Sequence, residues 1–300
     1  MNFVSTILQK ERKVMHSFIN QPVSLHFETF QKVFELSMKG QSTQEILKTF
    51  GMKVEPEQIN SSNALFSSFT DALKNALSGS SGEGKYVSLI TAGGIMTRFS
   101  SYYNYGYEDI ARQLLKADAD PNSLGTVFRA VGPGGTSDGN YLVPDAINAC
   151  KKPVVAATNY AMSATYMMIC PCDEIVMDAG AASQVGSIGS QYVHVNESKY
   201  FENQGIEHKI IRATGSEMKN QVNSIEPLSE DAQAKIQTLV DSCRKEFVGY
   251  VLRGRAGRNL KNEALTGDEF SAKVALNLGL IDRLGSLEVA IQRVVQLSSK

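Results

Sequence analysis

Ser163 stands in Asn159-Tyr160-Ala161-Met162-Ser163-Ala164-Thr165-Tyr166, among small residues, after the β-rich run 153–158 and at the opening of a helix-forming stretch. A serine there can cap the helix, its hydroxyl accepting an orphan N–H of the first turn. It can equally be a nucleophile on a strand-to-helix turn, with the next amide aimed at an oxyanion formed on attack. A nucleophilic hydroxyl needs a base. The histidines are His16, His26, His194 and His208. The first two lie far upstream, and His194 and His208 sit in or beside β-prone runs, where an ordinary partly buried histidine is the plainer expectation. A lysine serves instead if desolvation lowers its pKa towards neutrality. Lys219, in Arg212-Ala213-Thr214-Gly215-Ser216-Glu217-Met218-Lys219, is the candidate; the alternative is a solvated surface lysine.

Val131-Gly132-Pro133-Gly134-Gly135 follows a β-prone run and precedes a helical one. Paired glycines bring bare N–H groups close to a ligand. No Gly-Lys-Ser/Thr follows, which excludes a Walker loop, and the dinucleotide fingerprint is incomplete. A plain strand–helix turn is the alternative.

The elements that must position these residues change character near Ser78-Gly79-Ser80-Ser81-Gly82-Glu83-Gly84, a run of flexible-linker composition. Upstream, residues 43–50 and 63–77 have helical spacing, with Ala64, Leu65, Phe69, Ala72 and Leu73 on one face. Downstream, β-prone runs at 86–90, 126–131, 153–157, 174–177, 191–195 and 209–212 alternate with helical ones at 107–116, 141–149, 198–203 and 231–252. Such alternation predicts an α/β domain with a largely parallel sheet under covering helices. The expected division is a helical appendage over 1–78, a linker over 79–84 and the main domain over 85–300.

Composition narrows the class. Thirty basic against thirty-one acidic residues argue against a general nucleic-acid binder. The local run Arg253-Gly254-Arg255-Ala256-Gly257-Arg258 reads as a solvated helix end. Four cysteines are too few for a disulfide scaffold, and Cys170-Pro171-Cys172 lacks zinc-knuckle spacing, so buried thiols in a reducing compartment are expected. No run approaches the ~18 apolar residues of a membrane span, and the N-terminus lacks a basic stretch before its apolar patch. A soluble, cytoplasmic chain is the expectation.

Taken in order, the segments resemble peptidase family S49, the signal peptide peptidase A-like proteases on the ClpP/crotonase fold. The family's Asp-Ser-Pro-Gly-Gly corresponds to Val131-Gly132-Pro133-Gly134-Gly135, with the Asp-Ser replaced and both glycines kept. Lys-Pro-Val-Val is matched by Lys152-Pro153-Val154-Val155, and Ala-x-Ser-Ala/Gly-x-Tyr by Ala161-Met162-Ser163-Ala164-Thr165-Tyr166. Asp173-Glu174-Ile175, Gly186-Ser187-Ile188-Gly189, the lysine segment ending at Lys219, Pro227-Leu228-Ser229-Glu230 and a closing Gly279-Leu280-Ile281-Asp282 follow in family order. The resemblance runs from about Tyr86 to Ser298.

The resemblance implies a ClpP/crotonase-like fold of repeated β-β-α units, preceded by a small helical N-terminal region. It implies a serine endopeptidase in which neutral Lys219 takes the proton of Ser163 and the N–H groups of Gly134 and Ala164 hold the oxyanion. Ser187 would orient the lysine, with an ordinary turn serine as the alternative, and Gly135 would support the loop. It implies no metal or cofactor, a peptide or protein substrate, and a homo-oligomer that confines the site. A crotonase-type acyl-CoA enzyme shares the fold, but the Ser163 and Lys219 pattern weighs against it. The family includes phage procapsid proteases, so a catalytically idle or self-processing capsid-assembly protein is a further alternative. Limited proteolysis should nick the chain between Ser78 and Gly84 and leave a stable C-terminal core; a linker that resists cleavage would mean the upstream residues are part of that core.

Overall fold

The computed structural model describes residues 23–25, 84–101 and 104–299. The upstream helical runs 43–50 and 63–77 and most of the linker lie outside the described residues, as do His16 and His26. From residue 84 onwards the described chain is a mixed α/β domain built on a largely parallel sheet. In chain order its elements are β1 (Val23–Leu25), β2 (Tyr86–Thr97), β3 (Tyr105–Gly106), α1 (Tyr107–Ala119), β4 (Ser123–Thr136) and α2 (Leu142–Ala149). Then come β5 (Val154–Thr158), β6 (Tyr160–Met162), α3 (Ala164–Ile169), β7 (Glu174–Met177), β8 (Gln184–Gly186) and α4 (Ser198–Asn203). The chain closes with α5 (Glu230–Gly254), β9 (Glu269–Ser271), α6 (Ala272–Asn277), β10 (Arg283–Leu284) and α7 (Leu287–Ser298).

Strand β4 organises the sheet. The path runs β10-β7-β5-β4-β6-β8-β9, with β2 on the other edge of β4. The pairs among β2, β4, β5, β6, β7 and β8 are parallel, as strand–helix alternation requires. Neighbouring residues split between two layers by the period of two. Phe128, Ala156 and Ile175 join the main core under α1, α2 and α3. Val127, Val155 and Val176 pack on the other face against Ala290, Ile291 and Val294 of α7.

Three expectations are corrected. Residues 191–195 and 209–212 are irregular apart from a bridge at Gln191; β-prone side chains make a strand only where a partner supplies the ladder, and none among the described residues does so. The glycine motif is not a loop, because β4 continues through it to Thr136. The Arg253–Arg258 run is a helix end exposed at Arg253 and Arg258, as expected, but not at Arg255. Arg255 is 1% exposed and donates from Nη1 to Asp282 Oδ2 at 3.0 Å and from Nε to the Gly279 carbonyl at 3.1 Å. Arg258 pairs with the other Asp282 oxygen at 2.9 Å. Asp282 also accepts the Ile175 N–H at 2.7 Å, so one carboxylate fastens α5 and the closing turn to β7.

Glu174, on β7, is nearly buried and faces Arg283 and Arg293, whose Nε atoms both lie 2.7 Å from Oε2. Burial alone would raise its pKa, but the two guanidinium groups outweigh burial and hold the carboxyl at about 2. A depressed carboxyl stabilises the fold above its unfolded pKa and loses that contribution as pH falls through the folded value. Screening at half-exposed Arg283 leaves this worth roughly 2 kcal/mol at neutral pH. In urea titrations between pH 5 and pH 2 the wild type should therefore lose stability more steeply than Glu174→Gln; parallel curves would contradict this role.

Candidate active site

The register of three parallel strands places the candidate residues in one row. Gly132 of β4 is opposite Ala161 of β6, and Ala161 is opposite Val185 of β8. Gly134 lies two residues further along β4, and Ser163 and Ser187 are the first residues beyond the ends of β6 and β8. The row lies at the carboxyl ends of the strands, where α/β sheets present functional groups.

Ser163 follows the last residue of β6 and precedes α3. Its backbone has φ 51° and ψ −125°, a conformation that non-glycine residues avoid. The turn is held from outside: the Ser163 N–H donates to the Gly186 carbonyl at 2.9 Å, and Met162 pairs with Gly186. The expected helix cap is absent, since the side chain caps no N–H of α3. The residue is 1% exposed. A strained strand-to-helix turn whose serine caps no helix N–H has the backbone arrangement of a nucleophile elbow. Ser187 has the same abnormal sign, φ 54°, with its N–H on the Asp268 carbonyl at 2.7 Å.

The glycine strand beside Ser163 is shaped by close approach. A Cβ on Gly135 would sit 1.9 Å from the Met96 carbonyl oxygen, and one on Gly132 would sit 2.3 Å from that of Gly94. The second contact leaves no room for a side chain at position 132. Gly134 has φ 112°, outside the range that side chains tolerate. The Tyr107 hydroxyl, buried, donates to the Thr136 carbonyl at 3.0 Å and anchors the end of the strand. Tyr107 is absent from the sequence-based set; its only signal is an aromatic at the start of an amphipathic helix. Thr165, wholly buried beside Gly132, has a hydroxyl without a partner among the described residues.

Lys219 is not brought to this row by any contact among the described residues. It is exposed in a turn, where its N–H donates to the Ser216 carbonyl at 2.9 Å and its carbonyl accepts from Arg212 Nε at 2.6 Å. Arg212 is itself locked to Glu226, with 3.0 and 2.6 Å contacts, so the turn has a defined base. Met218 is 53% exposed and does not desolvate the lysine. The histidines are engaged elsewhere: His194 Nε2 lies 2.8 Å from the Asn223 carbonyl, and His208 packs edge-on against Phe201. Cys170 and Cys172 are buried thiols, and burial pushes Cys170 up to about 12. Among the described residues no cluster of His, Cys, Asp and Glu is arranged to hold a metal.

The family model described as Peptidase family S49 matches residues 146–299, just over half of the chain. The chain belongs to peptidase family S49. The matched stretch of this S49 chain takes in Ser163, Ala164, Ser187 and Lys219, while the glycine strand lies just before it. Its curated relatives include the head-tail preconnector protein GP5 of Enterobacteria phage P21, 27% identical over 62% of this chain and 37% of the phage protein. A candidate protease of Synechocystis sp. is 30% identical over 57% of this chain and 62% of its own length. A candidate protease of Methanocaldococcus jannaschii is 28% identical over 50% and 48%. The S49 chain thus matches only about one third to two thirds of the length of these relatives. Among solved structures, a membrane-bound stomatin-specific protease shares 14% identity at TM-score 0.44, over 71% of this chain and 86% of that one. ClpP1 of Listeria monocytogenes shares 13% at TM-score 0.43, over 68% and 94%. In this S49 chain no described helix is long and apolar enough to cross a membrane.

The strain at Ser163 has a measurable signature. A residue at this φ and ψ costs about 1–3 kcal/mol unless it is glycine. Ser163→Gly should therefore be more stable than Ser163→Ala by about 1 kcal/mol, after the greater chain entropy of glycine is subtracted. Equal urea midpoints for the two variants would contradict the strain.

Proposed function

We propose that the protein is a serine endopeptidase working through Ser163 and Lys219 by way of an acyl-enzyme. The observation that carries this reading is the Ser163 elbow: a buried serine that caps no helix, on strained backbone, at the end of a strand laddered to those that lead to Gly134 and Ser187. Neutral Lys219 takes the Ser163 proton as Oγ attacks the substrate carbonyl. The N–H groups of Gly134 and Ala164 receive the oxyanion; Ala164 opens α3, so its N–H has no acceptor within the helix. Lysine returns the proton to the leaving amine, and water then releases the acyl group. Ser187 orients the lysine, and the close packing of Gly135 on Met96 keeps the glycine strand in place.

An exposed lysine is a poor base, so Lys219 must be covered during the reaction. Its surroundings have the surface for that. Ile211 is 85% exposed and Met218 about half exposed in the irregular stretch that leads to the lysine, and Ile206 and, on α4, Tyr200 are about half exposed upstream of it. Exposed apolar side chains between residues 200 and 218 fit contact with substrate or with another copy of the chain, which agrees with a homo-oligomeric peptidase. The similarity to a phage head-tail preconnector favours one second reading, an idle or self-processing assembly protein in a procapsid. A fluorophosphonate probe separates an active peptidase from an idle assembly protein, because it labels only an activated serine.

Ser163→Ala should abolish both labelling and peptide hydrolysis while the chain stays folded. Lys219→Arg should be as inactive as Lys219→Ala, because arginine keeps its proton at any working pH. Activity should rise with pH on a limb that disappears in the Lys219 variants, while His194→Ala and His208→Ala keep most of it. Normal hydrolysis by Lys219→Arg together with an inactive histidine variant would replace the dyad with a serine–histidine pair.

A further inference from the structure

One edge of β4 is shared by three strands in succession. Beta5 pairs with 126–129, β6 pairs at Gly132, and β1 pairs antiparallel beyond them, with Leu25 opposite Gly134, Ser24 opposite Gly135 and Val23 opposite Thr136. The opposite edge of the same residues is taken by β2, with Ile95 opposite Gly134 and Met96 opposite Gly135. A strand has two edges, so β1 must lie on the edge that β6 leaves. Beta6 leaves it at Met162, where Ser163 turns the chain into α3. Val23–Leu25 therefore continues the ladder directly beyond the Ser163 elbow, along the backbone of Gly134.

We infer that the Gly134–Thr136 edge is a binding site for an extended peptide, and that its occupant in this chain is its own segment Val23–Leu25. The inference rests on the peptidase reading for its consequence: another peptide reaches Ser163 by displacing β1. Main-chain pairing at a strand edge accepts many sequences, and the glycines that line this edge leave the backbone open to a partner. Among the described residues the ladder is three residues long, short enough for another peptide to displace it. An occupant in cis reduces the apparent affinity for any competing peptide by the fraction of open chains.

The test uses the full chain with Val23→Pro and Leu25→Pro together, and Ser24→Pro as a second variant, since proline removes the N–H groups the ladder needs. The first readout is hydrogen exchange of the fragment containing Gly134–Thr136, in the Ser163→Ala background so that turnover cannot intervene. Exchange should speed up at least several-fold in one or both proline chains, and a synthetic peptide of residues 19–30 added in trans should restore protection. The second readout is hydrolysis of an unrelated peptide: KM should fall at least about threefold in the proline variants, with kcat within about twofold. Unchanged exchange in both variants would overturn the inference whatever the activity. Lost protection with an unchanged KM would overturn the gating. If no chain hydrolyses peptide, the peptidase reading fails, and exchange with rescue in trans decides the binding site alone.

Discussion

The Ser163 backbone is the constraint on which the site depends. A serine at φ 51° does not hold its conformation by itself; the surroundings must impose it. They do so through the Ser163 N–H on the Gly186 carbonyl and through α3, whose wholly buried side chains fix the direction in which the chain leaves the turn. Alpha3 is anchored in its turn. The Tyr166 hydroxyl donates to the Leu280 carbonyl at 2.8 Å, and Leu280 belongs to the closing turn that Asp282 fastens to Arg255, Arg258 and Ile175. A carboxylate more than a hundred residues downstream of the serine thus helps to hold its backbone.

The same view explains the closing motif. Asp282 with Arg255 is a buried charged pair, and such pairs are weak evidence of net stability but costly to break. Their value here is geometric. The carboxylate has donors from an α5 terminus, a β-strand and an arginine, so the closing turn has one position relative to β7. Gly254 lets α5 end against the Cys170–Pro171 backbone, since a Cβ there would meet the Cys170 carbonyl oxygen at 2.6 Å.

Sequence made some of this legible and hid the rest for identifiable reasons. The strand 174–177 and the helix 198–203 fall where periodicity puts them, and 107–116 and 231–252 needed only extension at their ends. Beta6 and β8, which carry the row of candidate residues, were missed. They have three residues each, and their sequences Tyr-Ala-Met and Gln-Val-Gly hold no periodic signal. Ser163 was legible as a choice between cap and nucleophile; only the backbone angles and the missing cap bond distinguish them. Arg255 was misread because a charge after a helix usually meets water, and its partner lies 27 residues away. The runs 191–195 and 209–212 misled because β-propensity reports a fit to a neighbour, and a single chain does not supply every neighbour.

Lys219 marks the boundary between what one chain can arrange and what the reaction requires. At its ordinary pKa about one lysine in 2,500 is neutral at pH 7, and each unit of depression raises that fraction tenfold at a cost of ~1.4 kcal/mol. A chain that buried the lysine permanently would bear that cost in every folded molecule. A turn based on the Arg212–Glu226 pair, with the lysine left in water, confines the cost to the covered state. The strain at Ser163 is the opposite solution, since it is present before any substrate arrives. In the proposed dyad the nucleophile is preorganised by the fold and the base is conditional on being covered, which would restrict hydrolysis to the moment when a peptide strand, or a neighbouring copy, covers the lysine.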